Sequence, residues 1–254
     1  PRPKRLFLRI VEREYAPSSD GIVPKYLTTE PLYHGGLVKT RDGYAARLWE
    51  KPVMDRLILL YKVIGARYDA HPNFEGITTM ETTLSLDQPY PAGYSVDALA
   101  AQWQRLATGV RPLMPHTNLF VLTNWLGAPP VLEDLIQSFV PLSVGVGAPD
   151  VVPTELSTGQ AVWTGVYGAD YRGLLPIANA VEVAQLGGSK GSWTPKQLHA
   201  FAYGTLRVNY MFWAWNTWSG DASQQWSTGI LPFLRFNPPV HQECPVVYGW
   251  CMRR

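Results

Sequence analysis

Residues 71–83 have the sequence HPNFEGITTMETT, and the hydrophobic pattern changes at this stretch from helical to extended. Upstream, apolar residues recur at spacings of three and four, which predicts a helix over residues 52–68. His71-Pro72-Asn73 ends that helix, because the residue before a proline disfavours helical backbone. Residues 74–83 then have an extended pattern bounded by polar residues, which predicts a strand.

The same alternation of helices and strands extends in both directions along the chain. An apolar, branched run predicts a first strand at Leu6–Val11. Downstream, helices are predicted near 95–108, at 131–139 and from Thr194-Pro195 to about 206, and strands at 119–124, 142–147, 177–184 and 209–215. Six strands that alternate with helices predict a parallel sheet covered by helices.

Two segments interrupt this alternation. Residues 16–50 form a long polar connection, in which Arg41-Asp42-Gly43 separates two short apolar runs and predicts a hairpin. Residues 221–254 form a C-terminal extension. No low-complexity stretch or charge run divides the chain, so a single βα-barrel domain over residues 1–254 is predicted.

Phosphate-binding glycine motifs distinguish an open nucleotide-binding sheet from a closed barrel. Neither GxGxxG nor GxxxxGK[ST] follows a predicted strand, which favours an α/β fold of the (β/α) TIM-barrel type. Six strands are two fewer than such a barrel needs. The barrel is therefore expected to be incomplete at the N-terminus, or its first units are replaced by irregular segments, and the pattern leaves both open.

Composition and charge exclude several classes of partner. The net charge of +2 and the charged fraction of 17% provide no basic surface for nucleic acid. The apolar runs are far shorter than the roughly 18 residues of a membrane span. Ten Trp and thirteen Tyr supply rigid faces that suit stacking on sugar rings. A carbohydrate partner is expected, with no nucleic acid, no membrane, no metal and no organic cofactor.

The two cysteines of the chain, Cys244 and Cys251, lie close together in the C-terminal extension. Their spacing fits a small disulfide loop, and no CxxC or histidine-rich pattern indicates a metal site. Two reduced, buried thiols are the alternative. A disulfide predicts an oxidising compartment, so the protein is expected to be secreted or periplasmic, with any signal peptide already absent from this sequence.

Functional residues of a βα-barrel lie where strands end, on the C-terminal side of the barrel. The polar and aromatic residues at the ends of the predicted strands are Glu81, Asn124, Trp125, Asp150, Glu182, Trp213, Trp215 and Asn216. Period-two alternation places Trp213 and Trp215 on one side of their strand, where two indoles could line the barrel mouth. Glu75 precedes its strand and is expected at the opposite end of the barrel.

Glycosidic bond cleavage requires two carboxyl groups, one to protonate the leaving oxygen and one to act as nucleophile or base. Glu81 and Glu182 come from different strands and could meet across the mouth of a barrel. They are the predicted catalytic pair.

These residues resemble the clan A glycoside hydrolases, a (β/α)8-barrel group that includes the cellulase-like family five. His71-Pro72-Asn73-Phe74-Glu75-Gly76 looks like the HPN-x-x-G that leads into the group's fourth strand, which ends in an acid/base glutamate. Glu81 is the matching position, and Met80 stands where the family usually has Asn. Residues 209–216, NYMFWAWN, look like the eighth strand, where a Trp forms the floor of the substrate site. By counting back, residues 177–184 correspond to the seventh strand, and Glu182 matches its nucleophile.

The resemblance implies a retaining glycoside hydrolase that acts on a poly- or oligosaccharide. In it, Glu81 protonates the glycosidic oxygen and then activates water, while Glu182 attacks the anomeric carbon. The expected substrate-binding residues are Asn124, Trp125, Asp150, Tyr210, Trp213, Trp215 and Asn216, with Asn124 or Tyr210 donating hydrogen bonds to the nucleophile. Two alternatives stay open: a non-catalytic carbohydrate-binding barrel, and an assembly subunit whose barrel is completed by a partner chain.

Overall fold

The computed structural model describes residues 5–15, 17–154, 171, 173–217, 221–237 and 240. The chain divides into two compact units, and each is described here by itself. The first unit comprises Pro1–Val121 and Trp125–Val144, and the second comprises Leu122–Asn124 and Gly145–Arg254. A single domain over residues 1–254 stays a prediction.

The main sheet of the described residues contains six strands and accounts for every strand that the alternation predicts. Its strands run parallel in the order β1-β5-β6-β7-β8-β11. All strands of the described residues are β1 (Leu6–Arg9), β2 (Arg13–Glu14), β3 (Leu37–Lys39), β4 (Tyr44–Ala46), β5 (Phe74–Thr78), β6 (Asn118–Leu122), β7 (Gly145–Ala148), β8 (Ile177–Val181), β9 (Leu186–Gly188), β10 (Gly191–Ser192) and β11 (Tyr210–Trp213). The six predicted strands are confirmed, although each is shorter than expected.

The predicted helices are also confirmed. The α-helices of the described residues are α1 (Lys25–Thr29), α2 (Lys51–Tyr68), α3 (Val96–Val110), α4 (Pro129–Phe139), α5 (Pro195–Phe201) and α6 (Leu231–Phe236). Helix α5 is shorter than predicted because its backbone widens into a π-helical turn at Ala202–Leu206. The pattern missed α1 and α6, which have five and six residues.

In the first unit, the central strands are covered on both faces. Every residue of β5 and β6 is buried, as is typical of strands in parallel sheets. Helix α2 packs against α3, and α3 packs against α4. The largest fully buried side chains of this unit include Trp103, Tyr61, Phe120 and Phe139, so strands and helices share one apolar core.

A small antiparallel sheet forms within and just before the long connection of residues 16–50. The predicted hairpin is confirmed, because β3 pairs with β4 around residues 41–43. A third strand, β2, pairs with the other edge of β4 and was not predicted. The backbone N–H of Ala46 also donates to the carbonyl of Glu12 at 2.9 Å. The residues that follow β1 are therefore held in place by the hairpin.

In the second unit, β7, β8 and β11 lie side by side. Gly147 is paired with Ala178 on the neighbouring strand, and a Cβ at Gly147 would lie 1.6 Å from the Ala178 carbonyl oxygen. Glycine permits this close approach. The side chain of Asn209 accepts a hydrogen bond from the N–H of Ile177 at 2.9 Å, which fixes the start of β11 against β8.

The fold is thus mixed α/β with a six-stranded parallel sheet. Closure of this sheet into a (β/α)8 barrel stays a prediction. Among the described residues, no helix combines the length and apolar character needed to cross a membrane.

Candidate functional site

Glu81 lies beyond the C-terminal end of β5 and is almost completely buried. We expected it to end the strand, but β5 ends at Thr78, three residues earlier. The N–H of Thr79 donates a last hydrogen bond to Phe120 of β6 at 3.1 Å, and the chain then leaves the sheet. Only 6% of Glu81 is exposed, so its carboxyl group depends on protein groups for hydrogen bonds.

Two side chains of the segment that follows β1 supply those hydrogen bonds. Nη1 of Arg13 lies 3.4 Å from Oε1 of Glu81 and donates to the carbonyl of Thr83 at 3.0 Å. The hydroxyl of Tyr15 donates to the same Glu81 oxygen. The guanidinium of Arg13 also lies 4.3 Å from the centroid of the Tyr15 ring. Glu81, Arg13 and Tyr15 therefore form one connected cluster, which we call the Glu81 cluster.

Sequence reasoning missed Arg13 and Tyr15. They lie just after β1. Functional residues were predicted at the ends of the later strands but not at the end of this first one. A rule that treats the C-terminal end of every parallel strand alike finds both residues, since the carboxyl ends of parallel strands meet at one edge.

Glu12 adds a second carboxyl group beside Glu81. It is 5% exposed. Its pKa is raised from 4.5 to about 8, mainly by burial and to a smaller extent by the negative charge of Glu81. Hydrogen bonds from the backbone N–H groups of Glu12 and Met80, and the positive charge of Arg9, oppose this rise in the pKa. At neutral pH the Glu12 carboxyl group therefore carries a proton.

Helix α2 contributes a buried phenol to the same region. Within the described residues, neither Oε2 of Glu12 nor the hydroxyl of Tyr61 has a hydrogen-bond partner. Burial and the charge of Glu12 raise the pKa of Tyr61 well above its ordinary value. The Glu12 carboxyl group therefore interacts electrostatically with both Tyr61 and Glu81.

The two carboxyl groups have different surroundings, and this difference has a chemical consequence. Glu81 receives donors from a guanidinium and a phenol, which stabilise negative charge, whereas burial keeps Glu12 neutral. Carboxyl groups that lie in such different surroundings are the kind of arrangement that acid–base chemistry uses. The C-terminal ends of β1 and β5 therefore form the candidate active site of the first unit.

Glu75, the other acidic residue of this strand, lies at its opposite end. It is the second residue of β5, and its Oε2 is 2.7 Å from Nε of Arg5. The side chain of Asn118 donates to the Glu75 carbonyl at 3.2 Å. Glu75 thus lies at the N-terminal end of β5, away from the end at which Glu81 follows, as the sequence analysis predicts.

In the second unit, Glu182 directly follows β8 and is half-buried. It forms a capping box with Gln185 around the short 3-10 turn of residues 183–185, in which the N–H of Glu182 donates to Oε1 of Gln185 at 3.1 Å. The side chain of Glu182, the predicted nucleophile, therefore accepts a hydrogen bond from the backbone of the turn that follows it.

Asp150 is buried near the end of β7 and contacts three residues of its own unit. Its carboxylate accepts from the side-chain amide of Gln185 and pairs with the ammonium of Lys190, while its carbonyl accepts from Asn179 at 2.9 Å. These contacts fasten the β9–β10 hairpin to the end of β7. Its predicted role in substrate binding stays a prediction.

The aromatic residues around β11 differ from the expected arrangement. Strand β11 ends at Trp213, so the period-two argument that paired Trp213 with Trp215 does not apply. The Trp213 ring lies 6.5 Å from Phe233 of α6. Trp215 is 67% exposed and stacks on Trp226, with 5.3 Å between ring centroids and 21° between planes. The stacked indole pair therefore consists of the exposed Trp215 and the half-buried Trp226.

Asn216 holds this indole pair in place. It is fully buried, its side chain donates to the carbonyl of Gln224 at 3.0 Å, and its carbonyl accepts from the N–H of Trp226 at 2.7 Å. These contacts hold the chain at Trp226, and the expected role of Asn216 in substrate binding stays a prediction. The sequence pattern missed Trp226, since it lies in the C-terminal extension, outside the predicted strands.

Tyr210 is also placed differently than expected. It is the first residue of β11 and pairs with Ala178, whereas Glu182 follows the last residue of β8. About 13 Å of chain therefore separates the two positions along the strand direction, and a hydrogen bond from Tyr210 to Glu182 stays a prediction. Of the residues after β6, Asn124 is half-buried and Trp125 is 46% exposed.

Glu81 belongs to the first unit and Glu182 to the second, so their pairing stays a prediction. Cys244 and Cys251 lie outside the described residues. In the part of the chain that the structure describes, no group of three or more His, Cys, Asp or Glu residues could hold a metal ion. No protein-family model, no curated protein and no solved structure matches this chain.

Proposed function

We propose that this protein is a glycoside hydrolase that cleaves a poly- or oligosaccharide with two carboxyl groups, on a sheet that forms part of a (β/α)8 barrel. The observation that carries the proposal is the Glu81 cluster: a buried glutamate beyond the C-terminal end of a parallel strand, with Arg13 and Tyr15 on one oxygen. A secreted or periplasmic location is part of the proposal and rests on the predicted disulfide of Cys244 and Cys251.

In the proposed reaction, one glutamate attacks the anomeric carbon and the other protonates the leaving oxygen, so that a glycosyl-enzyme forms and the aglycone departs. The second glutamate, now ionised, takes a proton from water, which displaces the first glutamate. The resemblance assigns the acid/base role to Glu81 and the nucleophile role to Glu182. Arg13 and Tyr15 stabilise negative charge on Glu81. A nucleophilic glutamate also needs its negative charge stabilised, so these contacts suit that role as well. Experiment must therefore test the two roles separately.

The first experiment measures hydrolysis of a panel of aryl glycosides and oligosaccharides by the wild type and by Glu81→Gln and Glu182→Gln. Each variant is expected to lose about 10²–10⁴-fold in turnover, because an amide neither transfers a proton nor attacks carbon effectively. Glu75→Gln is the matched control, since Glu75 is equally buried on the same strand but lies at its other end. Full activity in Glu81→Gln or in Glu182→Gln would contradict the role assigned to that residue.

Azide rescue then separates the two roles. If Glu81 is the acid/base residue, azide restores turnover of Glu81→Ala on an activated glycoside and the glycosyl azide retains the anomeric configuration, because Glu182 still forms the intermediate. If Glu81 is the nucleophile, azide attacks the substrate directly and the product has the inverted configuration.

A second candidate function is non-catalytic carbohydrate binding. The exposed Trp215, stacked on the half-buried Trp226, favours it, since flat indole faces suit the apolar face of a sugar ring. The engagement of Glu182 in a capping box supports it too, because a capping residue is constrained by its turn. Oligosaccharide that binds and is recovered uncleaved after prolonged incubation would favour binding over hydrolysis.

A further inference from the structure

An open groove runs between α2 and α3 in the first unit, and none of its residues belongs to the candidate active site. Its volume is about 410 Å³, which is in the range of small-molecule sites. Helix α2 lines it with residues three, four and seven positions apart, a spacing that places side chains along one side of a helix. These residues are Asp55, Ile58, Leu59 and Lys62, and α3 contributes Arg105 and Gly109.

Gly109 keeps the groove open, although neither its backbone nor the packing of the helices requires a glycine. A Cβ at Gly109 would lie 3.4 Å from Cγ2 of Ile58 and 3.6 Å from Cε of Lys62, which are ordinary contact distances. Gly65 on α2 differs, because a Cβ there would lie 2.8 Å from Cγ of Met114. Glycine is less stable than alanine within a helix. The residue at position 109 therefore costs stability and leaves an open space.

An ion-pair network closes one end of the groove. Nη2 of Arg105 lies 2.5 Å from Oδ1 of Asp55 and so links α3 to α2. Nζ of Lys51 lies 2.7 Å from the other carboxylate oxygen of Asp55. Nε of Arg56 donates a hydrogen bond to the hydroxyl of Tyr26 at 3.0 Å. The acidic charge among the lining residues is therefore already compensated by two cations.

Lys62 supplies a positive charge further along the groove. It lies seven positions from Asp55, which is about 10 Å along α2. A Cβ at Gly109 would lie 3.9 Å from its Nζ, so the ammonium lies beside the open space. In the part of the chain that the structure describes, this ammonium forms neither an ion pair nor a hydrogen bond. The groove therefore combines an apolar wall of Ile58 and Leu59 with a positive charge that has no counterion in this part of the chain.

We propose that this groove binds a carboxylate with an unbranched apolar chain, such as a medium-chain fatty acid. The carboxylate pairs with the ammonium of Lys62, and the chain lies along Ile58 and Leu59 over Gly109. Seven lining residues are too few for a protein partner, because a stable interface takes about 20–30 residues from each side. The ligand is distinct from the sugar substrate, so this site does not depend on the proposed function.

Calorimetric titration of the wild type with decanoate, below the concentration at which it forms micelles, tests the charge preference. Decanol and decylammonium are the matched probes, since they have the same chain without a negative charge. Decanoate is expected to bind saturably at one site and at least about tenfold more tightly than either probe, because only a carboxylate pairs with Lys62. No saturable binding of decanoate, or equal affinity for decylammonium, would overturn the proposal. An acidic amphipathic peptide that binds where decanoate does not would also overturn it, and would assign the groove to a protein partner.

Two variants locate the bound acid. Lys62→Met keeps the length of the side chain and removes its charge, so it should weaken decanoate binding about tenfold and leave decanol binding unchanged. Gly109→Leu fills the groove and should weaken the binding of both ligands by at least about tenfold.

Lys196→Met and Gly204→Leu are the matched controls for these variants. Lys196 is an exposed lysine of α5, and a Cβ at Gly204 has open space, so both controls should bind decanoate as the wild type does. Unchanged decanoate binding in Lys62→Met, or in a folded Gly109→Leu, would overturn the proposal. If circular dichroism shows that Gly109→Leu does not fold, Lys62→Met decides alone.

Discussion

The hydroxyl of Tyr15 donates a hydrogen bond to Oε1 of Glu81, although the two residues are 66 positions apart in the chain. The contact exists because β1 pairs with β5 in parallel, which brings the segment after β1 next to the segment after β5. Tyr15 is 48% exposed, whereas Glu81 is 6% exposed, so the phenol covers the carboxyl group from the solvent side.

Tyr15→Phe removes the hydroxyl donor and keeps the ring over Arg13. The free energy of unfolding is expected to fall by about 1 kcal/mol, because one oxygen of Glu81 loses a hydrogen bond and keeps the contact with Arg13. Tyr15→Ala should cost more, since the cation–π contact is lost as well. Urea unfolding measures both changes. Tyr68→Phe, at an exposed tyrosine at the end of α2, is the control. It should change the free energy of unfolding by no more than a few tenths of a kcal/mol.

Glu12 makes stability depend on pH in a predictable direction. The pKa of Glu12 is 4.5 in the unfolded chain and about 8 in the folded protein, so the folded state binds the extra proton between these values. The contribution of the protonated Glu12 carboxyl to the free energy of unfolding is therefore fully present below pH 4.5. It falls as the pH rises and is lost above pH 8. Relative to Glu12→Gln, the wild type should lose on the order of 5 kcal/mol across this range. Parallel unfolding curves at all pH values would contradict this expectation.

Trp215→Ala is expected to weaken oligosaccharide binding about tenfold and to leave stability almost unchanged, because the side chain is 67% exposed. Trp226→Ala should weaken binding by a similar factor, since it removes the ring that orients Trp215. Tryptophan fluorescence and calorimetry on the same oligosaccharide measure both effects. Trp193→Ala, at a partly buried indole of the same unit, is the control and should bind as the wild type does.

Gly147→Ala is expected to cost at least about 3 kcal/mol or to prevent folding. The new Cβ would lie 1.6 Å from the Ala178 carbonyl oxygen, and neither backbone can move without breaking the pairing of β7 with β8. Gly204→Ala is the matched control, because a Cβ there has open space. Thermal unfolding of both variants provides the comparison. Equal melting temperatures would show that β7 and β8 tolerate more separation than the register suggests.

The sequence predicted the elements of the main sheet well, because their signals are local. The side chains of Ser95 and Thr194 cap α3 and α5 by accepting hydrogen bonds from the backbone N–H groups of Ala98 and Gln197. Side chains of these types commonly do so at helix starts. The buried strands have short apolar runs between turn residues. Strand ends were less accurate, since β-branched threonines continue past Thr78, and apolar residues continue past Val181, after the strands have ended.

The site was predicted only in part, because its contacts are long-range. The position of Glu81 followed from the strand pattern, but Arg13 and Tyr15 lie in and beside β2, a strand whose pairing with β4 involves only two residues of each strand. Such a short pairing has no recognisable periodicity. Trp226 was missed for a similar reason, since its place beside Trp215 depends on the hydrogen bonds of Asn216.

The pairing of β1 with β5 also has a consequence for the order of folding. Leu6 pairs with Phe74, so the chain must close a loop of nearly 70 residues before this parallel pairing forms. The hairpin of β3 and β4 and helix α2 lie within that loop and depend on local contacts, which form faster. Strand β1 has four partly or fully exposed residues at the edge of the sheet, so it is expected to dock late. The Glu81 cluster would then assemble after most of the first unit has folded, and a nascent chain would carry its candidate site incomplete until that step.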